Sequence, residues 1–295
     1  MRPRVTLEQW RMLQAVVDHG GYAGAAEALS KSVSTVNYGI RRLEAGLGVE
    51  LLELDGRRAV LTRAGRELLR RSRHLLDEAV ALERAAGALA RGWEAVVTLA
   101  VEVIFPQERL LHSLDAFARL TGTTRVELIE SVLSGTTEQL FNGAADLAIT
   151  AWVPPGFLGD PLVTVEFVAV AHPDHPLHQV GRPLTQRDLR QHRQLVVRDS
   201  GVRESRDAGW LEAEQRWTVS HLSTSLEAVA RGMGFAWLPR HRIEARLADG
   251  SLRALPLLEG GVRHHELYLV FADRDDAGPA TRALADCLRK SCPAD

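Results

Sequence analysis

Ser32-Val33-Ser34-Thr35-Val36-Asn37-Tyr38-Gly39-Ile40-Arg41-Arg42-Leu43-Glu44-Ala45-Gly46-Leu47 is the stretch on which the fold turns. Val36, Ile40, Leu43 and Leu47 recur at helical intervals. At about 100° per residue they gather within roughly 60° of one another. Ser34, Asn37, Tyr38, Arg41 and Arg42 fall on the opposite side. Such a face suits base edges and phosphates, because Asn pairs in bidentate fashion with adenine and Arg with guanine. A solvated surface helix is the plainer reading of any single amphipathic stretch, so the neighbouring sequence decides.

Upstream, Thr6 and Gln9 have capping-box spacing, and Leu7, Trp10, Leu13 and Val17 follow at helical intervals. The pattern breaks at His19-Gly20-Gly21. A short, alanine-rich helix is expected over Tyr22 to Leu29, and Ser30-Lys31-Ser32 is the next break, with Ser32 or Ser34 free to cap the third helix. Downstream, Leu51 to Leu54 and Arg57 to Leu61 flank Asp55-Gly56, a strong hairpin-turn signal. Arg57 and Arg58 sit just past the tip, where a wing meets phosphates. Three short helices and a hairpin predict a winged helix-turn-helix over residues 1-62, with the helix-turn-helix about Tyr22 to Arg41.

Thr62 opens a long helix over 63-92. Leu68, Leu75, Leu82 and Leu89 are spaced by sevens, with Ala79 and Ala86 offset beside them, and the other side carries Arg66, Arg70, Arg71, Arg73, Glu78 and Arg84. This heptad seam predicts a helix that pairs with another helix, hence a dimer that presents two reading heads.

From Trp93 the pattern alternates between strands and helices. Strands are expected at Leu99–Phe105, Arg125–Glu130 and Asp146–Thr150, and helices after Pro106 and at Thr136 with Gln139. A second, similar unit starts near Val163–Ala171, with strands near 194–198 and 235–237. Its helices lie near 185–192, 223–232 and 239–248. The chain returns through Glu266–Ala272 and a helix from Pro279 to Leu288. The expectation is an α/β domain over 93-295 with two Rossmann-like lobes, lobe I at 93-163 and 267-295 and lobe II at 164-266, separated by a cleft.

Composition agrees with a cored protein: 295 residues allow two or three domains, with 45% hydrophobic and 25% charged residues. Residues 1–92 carry 15 Lys and Arg against 11 Asp and Glu; the remainder carries 21 against 27. A basic head on an acidic body suits a nucleic-acid-facing module. No apolar run reaches the roughly 18 residues of a membrane helix, and the start lacks a secretory pattern. With only Cys287 and Cys292, neither a disulfide framework nor a zinc spacing is present. A cytoplasmic protein is expected.

These residues resemble the LysR-type transcriptional regulators. The resemblance rests on Ala25-Ala26-Glu27-Ala28-Leu29 with Ser32, on Ile40-Arg41-Arg42-Leu43-Glu44, and on Leu47-Gly48-Val49. Asp55-Gly56-Arg57-Arg58 through Leu61-Thr62-Arg63-Ala64-Gly65 looks like the family's wing and linker start. In the body, Gly143-Ala144-Ala145-Asp146 and Gly232-Met233-Gly234-Phe235-Ala236-Trp237-Leu238-Pro239 look like its effector-domain signatures. The resemblance implies a DNA-binding dimer or tetramer whose body resembles a type 2 periplasmic solute-binding fold, with an unidentified small molecule between the lobes and no cofactor. Double-stranded promoter DNA and a second copy of the chain are the implied partners, with RNA polymerase a possible further one. It puts Ser32, Ser34, Thr35, Asn37, Tyr38 and Arg41 against DNA, beside Arg42, Arg57 and Arg58. Several positions depart from the family pattern: Val33-Ser34, Asn37-Tyr38, Gly39 and Leu54. Gly39 alone costs about 1 kcal/mol of helix propensity relative to Ala. The operator sequence therefore does not carry over.

Open α/β lobes bind ligands beyond the carboxyl ends of their strands, often against helix N-termini. That rule selects Ile104, Phe105, Ser134, Gly135, Thr136, Trp152, Arg198, Ser200, Ser220 and His221, a set suited to an anion with an apolar or aromatic body. Core packing of the aromatics and an ion pair at Arg198 are the bland readings. Two alternatives stand for the C-terminal part: sensing without a small ligand, and a metal-binding loop at His172, His175 and His178. Pro173 and Pro176 interrupt that histidine run, which favours a surface loop. No nucleophile elbow, phosphate loop or HExxH is present, so an enzyme is not expected.

Overall fold

The computed structural model describes residues 2–55, 58–203 and 210–293. The chain divides into two compact units, Met1–Ala90 and Arg91–Asp295.

The first unit is built from α1 (Leu7–Asp18), α2 (Tyr22–Ala28), α3 (Val33–Leu47), the antiparallel hairpin β1 (Leu52–Asp55) and β2 (Arg58–Leu61), and α4 (Arg63–Ala90). The capping box at α1 is complete: Thr6 Oγ1 accepts from Gln9 N at 3.3 Å, and Thr6 N donates to Gln9 Oε1 at 2.8 Å. Trp10, Leu13 and Val16 of α1, Ala25 and Ala26 of α2, and Val36, Ile40 and Leu43 of α3 close one core with Leu51 and Leu69. Gly39 has a packing reason. A Cβ there would stand 2.2 Å from Met12 Sδ, so the missing side chain lets α3 approach α1 and offsets its poor helix propensity. Glu44 Oε1 accepts from Leu51 N at 2.8 Å and Leu52 N at 3.1 Å, which pins the hairpin to α3.

The second unit holds a nine-stranded mixed sheet among the described residues. Its strands are β3 (Val96–Glu102), β4 (Arg125–Ser131), β5 (Leu147–Thr150), β6 (Gly159–Ala171), β7 (Gln194–Val197), β8 (Arg216–Val219), β9 (Phe235–Pro239), β10 (Arg253–Ala254) and β11 (Val262–Phe271). The order is β4-β3-β5-β11-β6-β9-β7-β8, with β10 beside β6. A first lobe forms around the parallel strands β4, β3 and β5. Its core gathers Val97, Leu99, Leu147 and Ile149 with Leu110 and Phe117 of α5 (Gln107–Leu120) and Leu284 and Leu288 of α10 (Pro279–Ser291). α6 (Ser134–Phe141) completes this lobe. A second lobe forms around parallel β7, β8 and β9 with α7 (Gln186–Arg190), α8 (Leu222–Ala230) and α9 (Arg240–Ala248).

The strands β8 and β10 have no counterpart in the sequence reading, and two further features differ from it. β6 and β11 form one long antiparallel pair, from Val262 opposite Val168 to Val270 opposite Gly159, and it joins the two lobes. Pairing partners so far apart in sequence leave no local signature. Also, the strand expected over Leu99–Phe105 is β3 at Val96–Glu102. The chain then turns, with Phe105 N bonded to Glu102 O at 2.9 Å, and Phe105 drops into the first lobe's core. The apolar run Val103-Ile104-Phe105 reads as strand but serves as a corner.

Candidate DNA-reading helix and effector cavity

α3 follows α2 after the short Leu29–Ser32 connection, the arrangement of a helix-turn-helix. Ser32 Oγ accepts from Thr35 N at 3.1 Å and lies 2.8 Å from Ser34 Oγ, so Ser32 is the helix cap. With Val36, Ile40 and Leu43 buried, α3 turns Ser34, Thr35, Tyr38, Arg41 and Arg42 outward, and Asn37 is half-buried. Tyr38 is 63% exposed, a high value for an aromatic ring, and the Arg42 guanidinium lies 6.0 Å from its centroid. Of the wing arginines, Arg57 lies outside the described residues, and of Arg58 only its backbone place at the start of β2 is described.

α4 has two distinct faces. Leu69 is buried, and Leu68 and Leu76 pack against the first unit's core. Arg73 bonds Asp18 at the end of α1 at 2.6 Å. The adjacent face leaves Leu75, Leu82 and Leu89 exposed. Leu68 thus sits half in its own core, while the other three seam leucines are 50%, 70% and 58% exposed.

In the second unit a cavity of about 460 Å3 opens between the lobes. The first lobe contributes Glu102, Val103, Ile104, Val132, Leu133 and Ala151. The crossing strands contribute Phe167, Arg263 and His265. The second lobe supplies Gln194 to Asp199, Trp210, Arg216, Thr218, Leu222, Ser225 and Trp237. β7 pairs with β9 only at Gln194 opposite Phe235, so the two strands part beyond that point and the cavity enters between them. Arg263 lies over Trp237 at 4.1 Å, and the Trp237 indole N–H donates to Gly260 O at 2.8 Å, which fixes the ring.

One side of the cavity is latched. Ser200 Oγ accepts from Val132 N at 2.8 Å, Ser200 N donates to Val132 O at 3.2 Å, and Ser134 Oγ donates to Asp199 Oδ2 at 2.6 Å. The Glu138 carboxylate accepts from Val202 N and Arg203 N. This latch explains where the expected effector residues lie. Ser134, Gly135 and Thr136 are buried beneath the Asp199-Ser200 loop rather than lining the cavity. Ile104 and Arg198 line it; Phe105 is in the core, and Trp152, Ser220 and His221 stand outside the lining. Glu102, Gln194, Trp210, Arg216, Ser225, Trp237, Arg263 and His265 were not anticipated, because they come from strands and loops far apart in sequence. Within the histidine run, His172 Nδ1 accepts from Asp174 N at 3.2 Å and His175 Nδ1 from Leu177 N at 3.3 Å, so both shape turns. Among the described residues no group of three His, Cys, Asp or Glu side chains could hold a metal ion.

Three titratable groups in the cavity are displaced by burial, which lowers the Arg263 guanidinium and also acts on Glu102 and His265. Burial pushes the Glu102 carboxyl up to about 7, opposed by hydrogen bonds from Ala151 N and Thr150 Oγ1 and reinforced by the Asp199 charge. Burial holds His265 below its ordinary value, with Arg263 and His264 adding to the effect. The Glu102 displacement sets a pH slope. The unfolded chain releases this proton near the ordinary carboxyl value of 4.5 and the folded one near 7, so native stability falls as pH rises between those values. Glu102→Gln keeps an acceptor at Oε1 and removes the slope. Its gain over the parent should be near zero at pH 4 and approach about 3 kcal/mol above pH 7, at about 1.4 kcal/mol per pH unit. Chemical denaturation at both pH values checks this; an equal difference at both contradicts it.

No described helix is long and apolar enough to cross a membrane. A family model described as the bacterial regulatory helix-turn-helix protein, lysR family, matches residues 7–66, and one described as the LysR substrate binding domain matches residues 90–293. The chain is 34% identical over 291 residues to the probable HTH-type transcriptional regulator YhaJ of Escherichia coli strain K12, covering 97% of this chain and 95% of that one. It is 33% identical over 255 residues to YeeY of the same organism, covering 83% and 81%. Among solved structures, full-length LysG of Corynebacterium glutamicum with bound effector Arg superposes with a TM-score of 0.54 at 22% identity, covering 98% of each chain. CrgA of Neisseria meningitidis, a LysR-type transcriptional regulator, gives 0.54 at 22% identity, covering 97% of this chain and 99% of that one. The chain belongs to the LysR family of transcriptional regulators, a family of DNA-binding helix-turn-helix proteins with an effector domain and not a family of enzymes.

Proposed function

We propose that the chain regulates transcription in the cytoplasm by binding promoter DNA as a dimer, further paired into a tetramer, and that a small molecule in the cavity sets the geometry of that assembly. Residues 1-62 are the reading head, 63-92 the pairing helix and 93-295 the sensor. The observation that carries the reading is the outward face of α3: Ser34, Thr35, Tyr38, Arg41 and Arg42 project from a helix whose other side is sealed in the core. Asn37 stands at the edge of that face. Arg57 and Arg58 act at the wing. Each α3 enters a major groove, and the leucine seam of α4 delivers two of them to two half-sites. The cavity supports the sensing role, as does the likeness to LysG, whose structure holds Arg. An effector acts by binding one arrangement of the subunits better than the other. RNA polymerase is the further partner through which an activator of this kind works.

A gel shift with the DNA upstream of the chain's own gene tests the head. Arg41→Ala should weaken binding about tenfold or more, at roughly 1–3 kcal/mol for a base contact. Binding of the parent should fall steeply with salt, because phosphate contact releases counterions. Unchanged affinity in Arg41→Ala, or a salt-independent parent, would remove α3 from the interface.

A further inference from the structure

One side chain in the first half of α3 points straight away from the core. At about 100° per residue, Val36, Ile40, Leu43 and Leu47 centre on one direction, and Tyr38 lies within roughly 10° of its opposite. Ser34 and Arg41 flank Tyr38 on one side, and Thr35 and Arg42 on the other, each about 40° to 60° away. Val36, Ile40 and Leu43 are sealed in the first unit's core and Leu47 packs against it, whereas Tyr38 takes no part in that core. Packing therefore gives no reason for an aromatic ring at this position. The Arg42 side chain, one turn on, leans back along the helix toward the ring and steadies it without covering it, since Tyr38 stays 63% exposed.

The place on the helix matters as much as the direction. Tyr38 lies in the N-terminal half of α3, the part of a recognition helix that meets base edges. A side chain on the central line reaches deepest into the groove, while those on the flanks lie nearer its phosphate rims. The chemistry then selects the target. Base edges in the major groove offer hydrogen-bonding atoms at every pair but one apolar feature, the 5-methyl group of thymine. A tyrosine ring is apolar over its body and polar only at its tip. The flanking hydroxyls of Ser34 and Thr35 and the guanidinium groups of Arg41 and Arg42 already supply hydrogen bonds.

We propose that Tyr38 is a specificity-determining residue whose ring packs on the 5-methyl group of a thymine in each half-site. The body of the ring makes the contact, and its hydroxyl is dispensable. This inference rests on α3 being the reading helix of a paired protein.

Replacing thymine by deoxyuridine removes the methyl group and leaves base pairing and the O4 acceptor in place. Single replacements at each thymine that the full chain protects upstream of its own gene, read by gel shift, test the assignment. At one or more thymines in each half-site the parent should lose about threefold to fourfold in affinity, the worth of one buried methyl group. Changing both half-sites should cost at least tenfold. Tyr38→Phe should keep this sensitivity. Tyr38→Ala, at an exposed position outside the core, should bind thymine and deoxyuridine fragments equally. A parent indifferent to every deoxyuridine, an equal loss in Tyr38→Ala, or an insensitive Tyr38→Phe overturns the ring contact. Arg41→Ala separates that failure from a deeper one. If Arg41→Ala weakens binding while no deoxyuridine does, α3 still reads DNA and only the thymine contact falls. If neither changes affinity, or the parent does not bind the fragment, the reading-helix assignment falls with it.

Discussion

Leu75→Glu combined with Leu82→Glu yields a folded, monomeric protein that has lost at least a hundredfold in affinity for its promoter DNA. Within one subunit Leu75 and Leu82 are 50% and 70% exposed, so charging them costs the subunit's own core nothing. In a paired α4 the same positions form the seam, and a pair would bring four carboxylates together in an apolar strip. Loss of pairing removes the second reading head and with it the gain in effective concentration from joining two weak contacts. Sedimentation velocity and a gel shift check both halves. A variant that remains dimeric places the subunit contact elsewhere. Leu69→Glu gives the contrasting outcome: it unfolds the first unit, because Leu69 points into the helix-turn-helix core rather than into the seam.

Gly135→Val lowers the melting temperature of the second unit by about 5–10 °C and abolishes the response to effector. A Cβ at Gly135 would stand 2.0 Å from Ser200 Oγ and 3.0 Å from the Ser200 carbonyl carbon, where the latch crosses from one lobe to the other. The valine forces the Asp199-Ser200 loop away from α6 and breaks its bonds to Val132 and Ser134. Overpacking of this kind costs about 1–3 kcal/mol, which for a unit near 200 residues is a few degrees per kcal/mol. Pairing a smaller change with relief isolates the cause. Gly135→Ala with Ser200→Gly recovers most of the loss seen in Gly135→Ala alone. Scanning calorimetry reads all the variants; an unshifted transition in Gly135→Val would mean that the lobes are not held there.

The N-terminal unit was legible because its signals are local. The capping box at Thr6, the glycine break before Tyr22 and the apolar stripe of α3 each lie within one or two turns of chain. Gly39 shows the limit of local reading. Its propensity cost is visible in the sequence, but its reason is Met12, in a helix packed across it. The leucine seam was legible as a period, yet the period does not say that the neighbouring Leu69 and Leu76 already serve the subunit's own core.

The second unit was legible as alternating strands and helices, and its site much less so. The helix N-terminus rule pointed to Ser134, Gly135 and Thr136, and that end of α6 does carry donors. The Asp199 carboxylate, brought from 64 or more residues away, accepts them first. Arg263 and His265 reach the cavity only because β11 pairs with β6, which sets Arg263 opposite Phe167 and His265 opposite Val165. Gln194 and Arg216 meet because β7 and β8 are parallel neighbours. No spacing along the chain encodes these meetings; they arise when the sheet assembles.

Hydroxyl-radical footprinting of the full chain on the DNA upstream of its own gene tests the central claim most directly. Two α3 helices carried by one seam should protect two patches whose centres lie one helical turn, about 10 base pairs, or a whole multiple of it apart on one face of the duplex. A single protected patch, or none at concentrations where the protein is paired, would contradict a regulator that reads DNA with both heads at once.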